Sequence, residues 1–107
     1  MNLKKLAENL GIGENEFSEL MAIFLEKSSS DLSKMQSAID EGDTDKAMTA
    51  AHSIKGTAAT LGLKEICEVA KRMETNAYQN NLDGVAEGVR TIKEKMDVIA
   101  QIFTAKG

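Results

Sequence analysis

The sequence predicts an all-α fold, an antiparallel up-down four-helix bundle with a short extra helix at its N-terminus, and three observations carry that reading. Apolar residues recur at helical spacing along nearly the whole chain. Proline is absent, and no alternating apolar and polar run marks a strand. Glycine and asparagine fall between the periodic stretches, so the connections are short, and short connections make successive helices antiparallel.

Leu3, Leu6, Ala7 and Leu10 make a short amphipathic helix, closed by Gly11 and Gly13, that packs across one end of the bundle. The first long helix is expected from about Glu16 to Ile39, with Asn15 as N-cap and Phe17, Leu20, Met21, Phe24, Leu25, Leu32, Met35 and Ile39 on one face. Ser28 shares that face. Serines at 28, 29 and 30 compete for backbone hydrogen bonds, yet the apolar stripe keeps its register across them, so one continuous helix is predicted. Glu41-Gly42-Asp43 is a turn, Asp43 or Thr44 caps the next helix, and Gly62 ends that helix as a left-handed cap. Leu63, Ile66, Cys67, Ala70, Met73 and Ala77 stripe a third long helix to about Tyr78. Asn80-Asn81 turns the chain, and Leu82, Val85, Val89, Ile92, Met96, Ile99 and Phe103 stripe a fourth.

Composition bounds the function. With 107 residues, one cysteine and 42% hydrophobic content, residues 1–107 suit a single domain with a core of its own. The lone Cys67 excludes an internal disulfide and is expected to be an inert buried thiol, and the remaining methionines are expected to fill core. No apolar run approaches the ~20 residues of a membrane span or the pattern of a secretory signal, so a cytoplasmic location is expected. The net charge is −4, from 17 acidic and 13 basic residues without a basic block. That balance argues against nucleic acid or an anionic membrane as partner and favours a protein.

The helix expected from about Thr44 to Gly62 holds the chemistry. Its apolar positions Ala47, Ala51, Ile54, Ala58 and Leu61 draw one narrow stripe. His52, the sole histidine, falls about 140° from the centre of that stripe and should reach solvent, on the flank of Met48, Gly56 and Ala59. Lys55 and Gly56 are its next-turn neighbours, which sets an ammonium beside the ring and leaves room over it for a bulky anion. An interior helical glycine costs about 1 kcal/mol relative to alanine, so an exposed one implies a clearance requirement. Met48 and Ala59 are candidates for an apolar docking surface beside His52.

The run Ala51-His52-Ser53-Ile54-Lys55-Gly56-Thr57-Ala58-Ala59-Thr60-Leu61-Gly62 resembles the signature of histidine-containing phosphotransfer (HPt) domains of bacterial two-component phosphorelays, and Met73-Glu74 matches a hydrophobic-Glu pair on their following helix. The resemblance implies a phosphoryl carrier rather than an enzyme. His52 would be the phosphoacceptor, Lys55 would neutralise charge, Gly56 would give clearance, and Glu74 would orient the ring. It implies no cofactor on this chain, with magnesium held by the partner, a receiver domain of a response regulator or hybrid histidine kinase, and a monomeric carrier. The start at Met1 and the end soon after Phe103 suggest a free-standing relay protein. A phosphoacceptor domain of a chemotaxis-type kinase, phosphorylated from ATP by a separate catalytic domain, is the alternative; a structural adaptor with an incidental histidine is a third.

Glu74 falls within the apolar stripe of its helix, where a carboxylate needs a partner. That need would be met by His52 on the antiparallel helix, whose tautomer Glu74 would fix, or by a salt bridge with Lys71, three residues earlier, or with another position of the chain. Lys55-Gly56-Thr57 is no phosphate-binding loop, because it sits mid-helix without a glycine-rich approach from a strand. One histidine and one cysteine make no zinc set.

Overall fold

The computed structural model describes residues 3–106, with side chains for residues 4–102. All five elements are helices: α1 (Leu3–Leu10), α2 (Glu14–Glu41), α3 (Thr44–Thr60), α4 (Lys64–Tyr78) and α5 (Leu82–Lys106). Helix α2 packs on α3 and α5, and α4 packs on the same two, so the four long helices close a ring, with α1 against α2. This is the expected bundle with its short extra helix. Phe103, expected on the last stripe, lies outside the described side chains.

The caps explain the turns. Asp43 caps α3, its side chain accepting from Lys46 N at 3.0 Å. At the other end Gly62 takes φ +73°, where Gly62 N–H donates to Ala59 O at 3.2 Å and Leu63 N–H to Ala58 O at 2.9 Å. Those two bonds are a Schellman motif, and they aim the chain straight into α4. Asn80, with φ 60°, ends α4 in the same way, and Asn81 Oδ1 then accepts from Gly84 N to start α5. The start of α2 departs from expectation. Its N-cap is Gly13, which makes no side-chain bond, and Asn15 lies within the first turn between Glu14 and Glu16. Those two carboxylates favour the positive end of the helix dipole, so α2 extends back past Asn15.

The core is one cluster running through all four long helices. Ala47, Ala51, Ile54, Ala58 and Leu61 are buried as their spacing requires, as are Met21, Met35, Met73 and Met96. Cys67 is only partly buried, at the edge of the core rather than within it. Leu20 also departs from the reading, being 41% exposed although it continues the stripe of α2. Leu20 lines an open depression between α2 and α3 instead.

Candidate functional site

His52 stands midway along α3 with its side chain 70% exposed, opposite the buried alanines of the same helix. Because α4 returns antiparallel after the tight Gly62 turn, Glu74 arrives at the level of His52, and its Oε2 lies 2.8 Å from the ring Nδ1. The other carboxylate oxygen, Oε1, accepts from Lys55 Nζ at 2.7 Å. Glu74 is therefore bonded both to His52 and to a lysine elsewhere in the chain, Lys55, rather than to Lys71.

The hydrogen bond from Lys55 holds the Glu74 carboxyl below its ordinary value, against the opposing effect of burial and with a further lowering from His52. Glu74 is thus an anion near neutral pH. A carboxylate only accepts, so His52 Nδ1 carries the hydrogen, and in the neutral ring the lone pair is then on Nε2. Lys55, whose side chain is 28% exposed, faces the ring through Glu74 and has its charge matched there. Its sequence position beside His52 is as expected; its commitment to a carboxylate is not visible in the spacing.

Gly56 is exposed, and a Cβ built on it would meet nothing within 4 Å beyond its own helix backbone and chain neighbours. Nothing inside the fold asks for a glycine there. It borders a shallow depression of about 430 Å³ between α2 and α3, shared with His52, Ser53, Lys27, Leu20 and Ile23. Ile23 is 61% exposed, so the apolar surface beside the histidine comes from α2. Met48 and Ala59, the pair expected to form it, do not line the depression, and Met48 packs partly buried against the core.

A second polar group flanks the site on the α2 side. Asp31 is 6% exposed, and its Oδ2 accepts from Ser53 Oγ at 2.8 Å. Lys27 Nζ stands 3.5 Å from the same oxygen and donates to Ser53 Oγ. The sequence carried a signal for this group. Residues 17, 21, 24, 28, 31, 35 and 38 repeat at steps of four and three, all of them are buried, and Asp31 is the charged member of that series.

The model of the Hpt domain family matches residues 19–102. Among solved structures, the crystal structure of histidine-containing phosphotransfer protein B from Pseudomonas aeruginosa PAO1 superposes with a TM-score of 0.83, covering 99% of this chain and 92% of that one. At 21% identity this likeness carries the fold. No curated protein sequence matches the chain. Since the family match takes in most of the chain, including the helices that carry His52, Lys55, Gly56 and Glu74, this protein belongs to the Hpt domain family, whose members are phosphocarrier signalling domains.

Proposed function

We propose that this chain relays a phosphoryl group: His52 accepts it from the aspartate of one receiver domain and passes it to the aspartate of another. The observation that carries this reading is an exposed imidazole whose Nδ1 is held 2.8 Å from Glu74, with Nε2 left for attack. In the forward step the Nε2 lone pair forms the N–P bond in line as the P–O bond of the acyl phosphate breaks, and the electron pair remains on the receiver's carboxylate. No proton needs to move. The phosphorylated ring keeps its Nδ1 hydrogen and becomes cationic, a charge that the Glu74 carboxylate faces directly. Reversal returns the group to a second carboxylate by the same geometry.

The chain's share of the reaction is positioning. Receiver binding falls to the α2–α3 face, where Leu20 and Ile23 give apolar contact and Gly56 lets the donor pocket close over the ring. Magnesium belongs to the acidic pocket of the receiver, and this chain is expected to work as a monomer in the cytoplasm. Among the described residues, no helix is long and apolar enough to cross a membrane. A second reading, the phosphoacceptor domain of a chemotaxis-type kinase, draws support from the His52–Glu74 contact, since a glutamate in that role is a feature of those domains.

The deciding experiment incubates the protein and its His52→Gln variant with a panel of phosphorylated receiver domains and scores acid-labile, base-stable label. Label on the wild type alone supports the relay. Label only from ATP and a kinase catalytic domain supports the second reading, and label retained by His52→Gln refutes both.

A further inference from the structure

The two flanks of His52 are not equivalent. Going round α3, Lys55 lies about 60° to one side of the histidine, and Ser53 and Gly56 lie about 100° and 40° to the other. Glu74 anchors Nδ1 on the α4 side together with Lys55, so Nε2, across the ring, is turned away from that pair. The depression that His52 lines also contains Gly56, Ser53 and Lys27, and neither Lys55 nor Glu74 lines it. The space that Gly56 leaves open is therefore on the α2 flank, and the ammonium at its edge is that of Lys27.

Lys27 is placed there by a buried group. Asp31, 6% exposed on α2, takes a hydrogen bond from Ser53 Oγ at 2.8 Å, and the pair holds the Lys27 ammonium at the rim, 3.5 Å from Asp31 Oδ2 and bonded to Ser53 Oγ. An ammonium has three hydrogens, and half of the Lys27 side chain remains exposed to meet an anion on the ring beside it. We infer that Lys27 is the cation that contacts the phosphoryl group on His52 Nε2, with Ser53 and Asp31 as its positioning residues, while Lys55 acts through Glu74 on the other side of the ring. This rests on His52 being the phosphoacceptor.

The deciding titration needs no receiver. Phosphoramidate, a small phosphoryl donor, is used to load the wild type, Lys27→Gln, Lys27→Arg and Lys55→Gln, with His52→Gln as blank, and the ³¹P resonance of each phosphoprotein is followed against pH. A cation in contact favours the phosphoryl dianion, so in Lys27→Gln its second ionisation should rise by roughly half a unit, with wild-type behaviour restored in Lys27→Arg. Transfer from a phosphorylated receiver should fall about fivefold in the same variant. A Lys27→Gln titration that overlays the wild type overturns the assignment, even where transfer slows, because the lysine would then be touching the partner. A shift confined to Lys55→Gln overturns it in favour of that lysine. Failure of the wild type to take label beyond the His52→Gln blank would instead strike at the phosphoacceptor reading itself.

Discussion

Replacing Gly56 should make this protein more stable and less active, and the two effects separate the fold from the function. Gly56 lies one turn before the end of α3 with helical backbone, and a Cβ there would meet nothing within 4 Å beyond its own helix and chain neighbours. Gly56→Ala then gains the ordinary helix-propensity difference of about 1 kcal/mol with no packing loss to offset it. In a domain of this size that raises the melting temperature by roughly 4 °C. Gly56→Leu should gain nearly as much, since its longer side chain projects into the same open depression. That projection sits one turn from the ring, where it displaces both the phosphoryl group and the closing receiver, and a misplacement of about 1 Å at a reacting centre costs on the order of a hundredfold in rate. Thermal unfolding followed by circular dichroism at 222 nm gives the first quantity, and single-turnover transfer from a phosphorylated receiver gives the second. Normal transfer in Gly56→Leu would refute the clearance argument, and a fall in melting temperature for Gly56→Ala would show that the glycine serves the fold.

Four further outcomes are expected. Glu74→Gln should slow transfer about tenfold and free the ring tautomer, visible as a change in the ¹⁵N imidazole shifts. Because the Lys55 hydrogen bond lowers the Glu74 carboxyl in the folded state, its stabilising contribution is complete above the ordinary value of 4.5 and is lost as pH falls through the lowered one; the stability gap between wild type and Glu74→Gln, read by urea unfolding, should therefore close as the solution is acidified below about pH 4.5 and stay constant above it. Ser28→Ala should stabilise by about 1 kcal/mol, since Ser28 is fully buried in α2 and its Oγ has no hydrogen-bond partner; a loss of stability would mean that the hydroxyl is satisfied. Ile23→Asp should weaken receiver binding at least about tenfold, measured by titration calorimetry, while the melting temperature stays within about 2 °C of wild type, because the side chain is 61% exposed.

What the sequence revealed and what it hid divide along one physical line. The position of His52 was legible because it depends on α3 alone: five small or apolar residues fix which face is buried, and the histidine must then point out. Gly62 and Asp43 were legible for the same reason, each being a local cap. The start of α2 was not, because Gly13 caps without a side chain and leaves no mark that competes with Asn15. Glu74 was half legible. Its place on an apolar stripe called for a partner, but choosing between His52 and Lys71 requires the relative height of α3 and α4, which the Gly62 turn sets in three dimensions. The pairing of Lys55 with Glu74 was not legible, because a long flexible side chain takes whichever acceptor lies across the groove, and that acceptor is 19 residues away in sequence. The exposure of Leu20 was not legible, because it continues an apolar stripe and no pattern along α2 tells which edge of that stripe is left uncovered.

Asp31 completes the picture of how the histidine is held. A buried carboxylate costs several kcal/mol unless it is partnered, and Asp31 Oδ2 takes a hydrogen bond from Ser53, the residue next to His52, and an ion pair with Lys27. Glu74 does the same from α4, so the short stretch of α3 from His52 to Lys55 is bonded on both flanks, to α2 through Ser53 and to α4 through His52 and Lys55. Each carboxylate is more buried than the histidine and each is matched by one lysine, which leaves the resting site balanced in charge, with the ring held by Glu74 and the neighbouring Ser53 held by Asp31. Phosphoryl transfer draws chiefly on position and charge neutralisation, so ordering the ring before the partner arrives removes a cost that the encounter would otherwise bear. The core beneath is made separately, by the alanines and Ile54 on the opposite face, and the two clusters add nothing to that face. Loss of either flank should consequently loosen the histidine without unfolding the bundle, which places the specificity of this surface in polar contacts laid over a conventional apolar core.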